Sequence, residues 1–249
     1  MHNFVGFNHQ IILAETAFLS AISSAALFGR GIFTTVVIYN SKPFLLEKHW
    51  QRLIENSQKI GISLSEFSEK IIENQLSEII IKNNFTRGRA RLTFFDESQT
   101  SFWQTKPERK TNLLIQTADL RKIKRNLRLT ISPFRVNSTS PLVGVKSCNY
   151  LENILALEDA KAKGFDEAIR LNEKGEIVSA CLANLFWIKG GTIFTPSLET
   201  GCLKGTTGEF IMENFTVEER KAELNELEKA DDFFLTSAGV GVVKAVVDF

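Results

Sequence analysis

The sequence predicts an α+β fold of two domains. Strand-like and helix-like stretches are mixed in each half of the chain, and 249 residues suffice for two modest cores. A strand expected at 112–117 also closes the first such mixture before a new strand opens near residue 127. The expected division is a smaller domain over 1–117, an interdomain region over 118–129 and a larger domain over 130–249.

Composition narrows the class. Apolar residues at 43% and charged residues at 24% are those of a soluble globular protein. A net charge of +1 gives no long-range pull toward nucleic acid or anionic lipid. The Lys-Arg-rich spots at 121–128 are interrupted by Leu and Ile, and no nucleic-acid motif accompanies them. Cys148, Cys181 and Cys202 have neither metal spacing nor even parity, which points to a reducing, cytoplasmic setting. His2, His9 and His49 form no local cluster, so no metal is expected. The apolar run at 17–28 is broken by serines and lacks a basic leader, so it reads as folded protein and as neither export signal nor membrane span.

Residues 4–13 read as an edge hairpin turning at Asn8-His9. Residues 16–27, rich in Ala and Ser, stay open between helix and loop. Phe28-Gly29-Arg30-Gly31 then runs into the β-branched strand ending at Tyr39, and Asn40-Ser41 turns it back. Residues 47–60 predict an amphipathic helix with Leu46, Trp50, Leu53 and Ile54 on its apolar side. His49 and Arg52, three apart, are neighbours on that helix. A second helix is expected over 63–81, capped by Ser63 with Glu66.

Residues 89–96 read as a strand that puts Arg89, Arg91, Thr93 and Phe95 on one face. Two arginines so placed suit a substrate carrying carboxylates, and pairing to acidic residues elsewhere is the open alternative. Residues 99–110 read as a long loop.

In the second half, strands are expected near 127–133, 167–171, 175–181, 185–189 and 192–195, with Gly190-Gly191 as a hairpin turn. A helix is expected over 149–163, with Asn149 as cap and Glu152 returning the bond. Another starts at Thr206, in capping-box spacing with Glu209, and its first amides offer a phosphate cradle. A helix over 218–230 and a strand over 233–239 complete the series. Lys146 sits just ahead of the 149–163 helix. It is either a surface charge beside an apolar segment or an amine whose desolvation frees its lone pair for Schiff-base chemistry.

Six segments in order decide between these: Phe28-Gly-Arg-Gly-Ile-Phe-Thr-Thr35, Leu46-Glu-Lys-His-Trp-Gln-Arg-Leu53, Lys146-Ser-Cys-Asn-Tyr-Leu-Glu-Asn153, Ala183-Asn-Leu-Phe186, Thr195-Pro196 and Leu203-Lys-Gly-Thr-Thr207. Together they resemble the fold-type IV pyridoxal-phosphate enzymes, the class IV aminotransferase family, over essentially the whole chain. The resemblance implies a D-amino-acid-aminotransferase-like fold with pyridoxal 5'-phosphate between the domains, and a homodimer. It implies Lys146 as the aldimine-forming catalytic lysine and Arg52, Gly205, Thr206, Thr207 and Ser237 around the phosphate. Tyr150 and Ser179 would contact the ring, and Arg30, Arg89 and Arg91 are the candidate grips for substrate carboxylates.

Thr34, where most aminotransferases of the family have glutamate, resembles the 4-amino-4-deoxychorismate lyases, and Tyr150 four residues after the lysine resembles the spacing of those lyases and of the D-amino-acid aminotransferases more than that of the branched-chain ones. The implied reaction forms 4-aminobenzoate and pyruvate, a step of folate biosynthesis. A class IV aminotransferase acting on an amino acid and a 2-oxo acid, and a cofactor-binding homologue without turnover, are the alternatives. The chain also departs from the family pattern. Ser179 stands where a glutamate usually holds the pyridine nitrogen, Gly208 replaces a common arginine, Arg30 a common aspartate, and Asp96 a common arginine.

Overall fold

The computed structural model describes residues 1–99 and 110–249. The loop expected at 99–110 therefore lies almost wholly outside the described residues. Contacts divide the chain into two units, Met1–Arg121 with Val145–Asn149, and Lys122–Gly144 with Tyr150–Phe249.

The first unit is built on a six-stranded sheet of order β2-β1-β6-β5-β3-β4, antiparallel throughout. Its strands are β1 (Phe4–Phe7), β2 (Gln10–Leu13), β3 (Gly31–Tyr39), β4 (Lys42–Pro43), β5 (Gly88–Asp96) and β6 (Thr111–Ala118). A short helix α1 (Ser24–Phe28), capped by the Ser23 hydroxyl on the Ala26 amide, resolves the open stretch before β3. Helices α2 (Leu46–Ile60) and α3 (Glu69–Lys82) bury Leu46, Leu53, Ile72, Leu76 and Ile79 against Ile32, Val36 and Ile38 of β3 and Ala90, Leu92 and Phe94 of β5. Alternation along the strands puts these on one face of the sheet and leaves Phe33 and Arg91 on the other.

The second unit holds an eight-stranded sheet of order β12-β11-β10-β13-β14-β7-β8-β9. In chain order these are β7 (Asn126–Ile131), β8 (Glu167–Leu171), β9 (Ile177–Ala180), β10 (Asn184–Lys189), β11 (Thr192–Pro196), β12 (Val217–Arg220), β13 (Asp232–Ser237) and β14 (Gly241–Val247). Gly190 and Gly191 both have positive φ, 57° and 81°, which is what the tight β10–β11 turn demands. Leu129, Ile169, Leu185, Trp187 and Leu235 lie at the centre of its core. Helix α4 (Leu151–Ala162) packs Ala156 and Ala160 against Ala168 and Cys181, and α5 (Thr206–Asn214) and the short α6 (Leu224–Leu227) complete the unit.

Four local expectations are corrected. Helix α3 is capped by Ser68, whose hydroxyl accepts the Ile71 amide at 3.3 Å, because the Ser63 hydroxyl is used locally by the Ser65 amide. Helix α4 has Tyr150 at its cap position with no side-chain cap, since the Asn149 amide donates instead to the Gly29 carbonyl at 3.1 Å. Thr206 is the first residue of α5, and Gly205 occupies the cap position. The helix expected over 218–230 is β12 followed by α6: parallel pairing of Val217–Arg220 with β11 overrides the helical preference of a Glu- and Lys-rich run. Strand β14 was not anticipated, although Val243 and Ala245 alternate inward between exposed neighbours.

Candidate active site

Lys146 is fixed through its backbone. Its amide donates to Asn56 Oδ1 at 2.6 Å, its carbonyl accepts the Phe33 amide at 2.9 Å, and the Cys148 amide donates to the Gly31 carbonyl at 2.8 Å. Residues 146–148 thus continue the ladder beside the start of β3, with Ile32 bridged to Ser147. Val145 packs into the first core. With both peptide ends held, the lysine side chain has a defined origin, and Nζ lies 4.6 Å from the centre of the Phe33 ring.

Other elements of the same unit surround that amine with positive charge. Helix α2 presents His49, Arg52 and Asn56 at spacings of three and four, and β5 presents Arg91, whose guanidinium stacks 3.7 Å from the Phe33 ring centre and donates to Thr93 Oγ1 at 3.3 Å. Burial first, then the charges of Arg52 and Arg91, bring the Lys146 pKa down from 10.5 to about 7. A good part of the amine is therefore neutral and nucleophilic at neutral pH.

Thr34 is the polar step in the apolar row of β3. It is fully buried, accepts Arg52 Nη2 at 2.7 Å and lies 2.6 Å from His49 Nδ1. A guanidinium only donates, so Thr34 accepts from Arg52 and keeps both a hydrogen and a second lone pair for His49 Nδ1. A neutral ring agrees with the His49 pKa, which burial, then Arg52 and Lys146, push down to about 3. Thr34→Val keeps the shape and removes the hydroxyl. It is expected to cost about 1–3 kcal/mol, read as a lowered urea midpoint.

The remaining arginines separate. Arg30 lies 3.7 Å from Asp96, so two of the departures from the family pattern are paired with each other. Arg89 is shifted by burial and by the charge of Arg121. Of the three arginines, only Arg91 acts on Lys146 among the causes that set its pKa.

In the second unit, α5 begins at Thr206 and Thr207, with first-turn amides that a helix cannot satisfy from within. Asn184 Nδ2 donates to the Leu203 carbonyl at 2.8 Å and fixes the entry to that helix. A Cβ at Gly205 would collide with Asn184 Oδ1, so glycine is required there. Asn184 pairs with Thr236, adjacent to Ser237 at the end of β13. Tyr150 precedes α4, and Ser179 lies half-buried on β9. His49, Asn56 and Asn184 were not named as site residues from sequence. For the first two, their place with Arg52 on one side of α2 was the available signal.

The family model for class IV amino-transferases matches residues 31–246. The chain belongs to the class IV aminotransferases. The aminodeoxychorismate lyase of Bacillus subtilis (strain 168) is 27% identical over 245 residues, covering 95% of this chain and 83% of that protein. The D-alanine aminotransferase of Listeria monocytogenes (strain 10403S) is 26% identical over 245 residues, covering 94% and 84%. A solved structure from Legionella pneumophila, provisionally named 4-amino-4-deoxychorismate lyase, superposes with a TM-score of 0.88 at 28% identity, covering 94% of this chain and 88% of that one.

Class IV aminotransferases and their lyase relatives are pyridoxal 5'-phosphate enzymes. The donor set fits that cofactor: an amine with pKa about 7 suits an aldehyde, and the adjacent guanidinium charges suit a phosphate or carboxylate. The same amine makes stability depend on pH. Its folded pKa lies below its unfolded value, so the unfolded chain binds more protons between about pH 7 and 10.5, and this contribution rises with pH through that window. Cofactor-free Lys146→Met is therefore expected to be more stable than the parent below about pH 7, with the advantage shrinking toward pH 10.5, read from urea midpoints.

Proposed function

We propose that this class IV enzyme is a 4-amino-4-deoxychorismate lyase, forming 4-aminobenzoate and pyruvate. The observation that supports amine chemistry is Lys146, backbone-clamped and with its pKa near 7 beside Arg52 and Arg91. Thr34, where most aminotransferases of the resemblance carry glutamate, supports elimination over amino transfer, and Ser179, where the family as a whole usually carries glutamate, gives a weaker electron sink that would harm amino transfer more than elimination.

When bound, pyridoxal 5'-phosphate supplies an aldehyde for the amine and a conjugated ring that accepts electrons from the substrate carbon. In this reading Lys146 Nζ is first the amine that the cofactor engages and then the base that takes the proton from the ring carbon bearing the substrate amine. The electrons left behind expel enolpyruvate and the ring becomes aromatic. The proton held by Lys146 is returned as enolpyruvate becomes pyruvate. Arg52 binds phosphate, oriented by Thr34, and the amides at Gly205, Thr206 and Thr207 with Ser237 are assigned to the same group. Tyr150 and Ser179 are assigned to the ring, Ser179 to its nitrogen. Arg91 is the leading carboxylate grip, and Arg30 and Arg89 are weaker candidates because Asp96 holds the first and Arg121 neighbours the second.

The proposal includes a cytoplasmic homodimer in folate biosynthesis. The free thiols of Cys148, Cys181 and Cys202 support the compartment. Exposed Phe18, Ile22 and Leu27 offer a surface for a second copy, and sedimentation tests it. No helix among the described residues is long and apolar enough to cross a membrane. The deciding assay supplies 4-amino-4-deoxychorismate to the reconstituted enzyme. Formation of 4-aminobenzoate is the expected result; amino transfer from an L- or D-amino acid to a 2-oxo acid without any arylamine product would give the assignment to the aminotransferase instead.

A further inference from the structure

Arg170 lies directly opposite Ser179 in the antiparallel ladder of β8 and β9. Directly opposed residues send their side chains to the same face of a sheet. Ile169 and Ala180 turn to the other face, into the second core, while Ala168 and Cys181 meet α4 on the face of Arg170 and Ser179.

Arg170 is only 3% exposed. Its Nη2 reaches the Arg135 carbonyl at 3.3 Å and Glu152, in the first turn of α4, at 3.6 Å, while its Nε is buried without a hydrogen-bond partner. A guanidinium does not give up its proton, so this charge is permanent. The Glu152 side chain is 77% exposed, and an ion pair to so solvated a carboxylate compensates the buried charge poorly. Two other titratable groups lie nearby, and Glu167 gains its charge within the pH range near 7. Glu167 is committed to the amides of Cys181 and Leu182 and is raised to about 7 by burial, and the Cys181 thiol is pushed up to about 12, chiefly by burial.

We propose that Arg170 and Ser179 together keep the pyridine nitrogen of bound pyridoxal 5'-phosphate neutral. This rests on the assignment of Ser179 to that nitrogen. A serine hydroxyl donates to a lone pair or accepts from an N–H, so Ser179 alone leaves the protonation state open. The poorly compensated charge of Arg170, directly opposite Ser179 in the ladder, closes the choice, because a positive neighbour disfavours pyridinium. An acid at position 179 would neutralise Arg170 as well as favour the protonated ring; serine does neither. The ring is then a weaker electron acceptor, which is tolerable where aromatisation drives the reaction and limiting where amino transfer must stabilise a carbanion unaided. Arg170 is thus a positioning residue that selects between two reactions of one scaffold.

The test uses the full chain loaded with pyridoxal 5'-phosphate labelled with 15N in the ring. The ring-nitrogen resonance is followed across the pH range in which the protein stays folded, and borohydride reduction with mass analysis is run on the same samples. A neutral-pyridine resonance throughout is expected for the parent. Arg170→Leu should favour the protonated ring by about 10- to 1000-fold, and Arg170→Leu with Ser179→Glu should give pyridinium outright. Arg170→Gln keeps a donor for the Arg135 carbonyl without the charge, and serves if leucine is not tolerated. A protonated ring in the parent, or a resonance unmoved by either Arg170 variant, overturns the proposal when the cofactor is found on Lys146. A cofactor never fixed at Lys146 overturns instead the assignment on which the proposal rests.

Discussion

Lys146→Ala abolishes 4-aminobenzoate formation while leaving the fold in place: that is the expected result of the most damaging single substitution. The side chain is proposed both to engage the cofactor aldehyde and to move the substrate proton, and loss of the proton transfer alone costs about 10²- to 10⁴-fold. The fold survives because the Asn56 and Phe33 bonds to residue 146 are made by its amide and carbonyl, which alanine retains. In the parent protein, the rate at which the cofactor-free chain takes up pyridoxal 5'-phosphate should rise with pH through about 7 as the free amine loses its proton. A turnover rate in Lys146→Ala within tenfold of the parent, with the circular dichroism spectrum unchanged, would remove the lysine from the mechanism.

Arg52→Ala carries the second largest effect, on cofactor retention. A charge-assisted hydrogen bond contributes about 1.5–3 kcal/mol, so pyridoxal 5'-phosphate should be held about 10- to 150-fold more weakly. The bound-cofactor absorption maximum should move little, since the proposed partner is the phosphate and not the conjugated ring. Removing the guanidinium also lifts one of the two positive charges that depress Lys146, so the lysine pKa should move up. An unchanged dissociation constant by equilibrium dialysis would refute the phosphate assignment.

The strands were legible where β-branched runs met turn residues: β3 between Gly31 and Asn40, and β10–β11 around Gly190-Gly191. Helix α2 was legible because its apolar face repeats at helical spacing. Helix starts were less so, because several Ser, Thr and Asn residues compete at each and the winner depends on distant partners. Asn149 serves the Gly29 carbonyl, a contact no local pattern announces. Residues 217–230 have helical composition, and only the parallel neighbour β11 turns the first of them into a strand.

At the site, alternation along β5 put Arg89 and Arg91 on one face correctly, yet could not tell that Arg91 stacks on Phe33 while Arg89 answers to Arg121. Arg30 and Asp96 looked like two separate losses until their pairing was seen.

The return of Val145–Asn149 to the first unit bears on biogenesis. A nascent chain emerging as far as Arg121 lacks the valine that plugs its core and the backbone that completes the ladder at Ile32. More than twenty further residues must follow Arg121 before that packing and that ladder can be completed, so the nucleophile joins a scaffold whose other strands and helices are synthesised well before it.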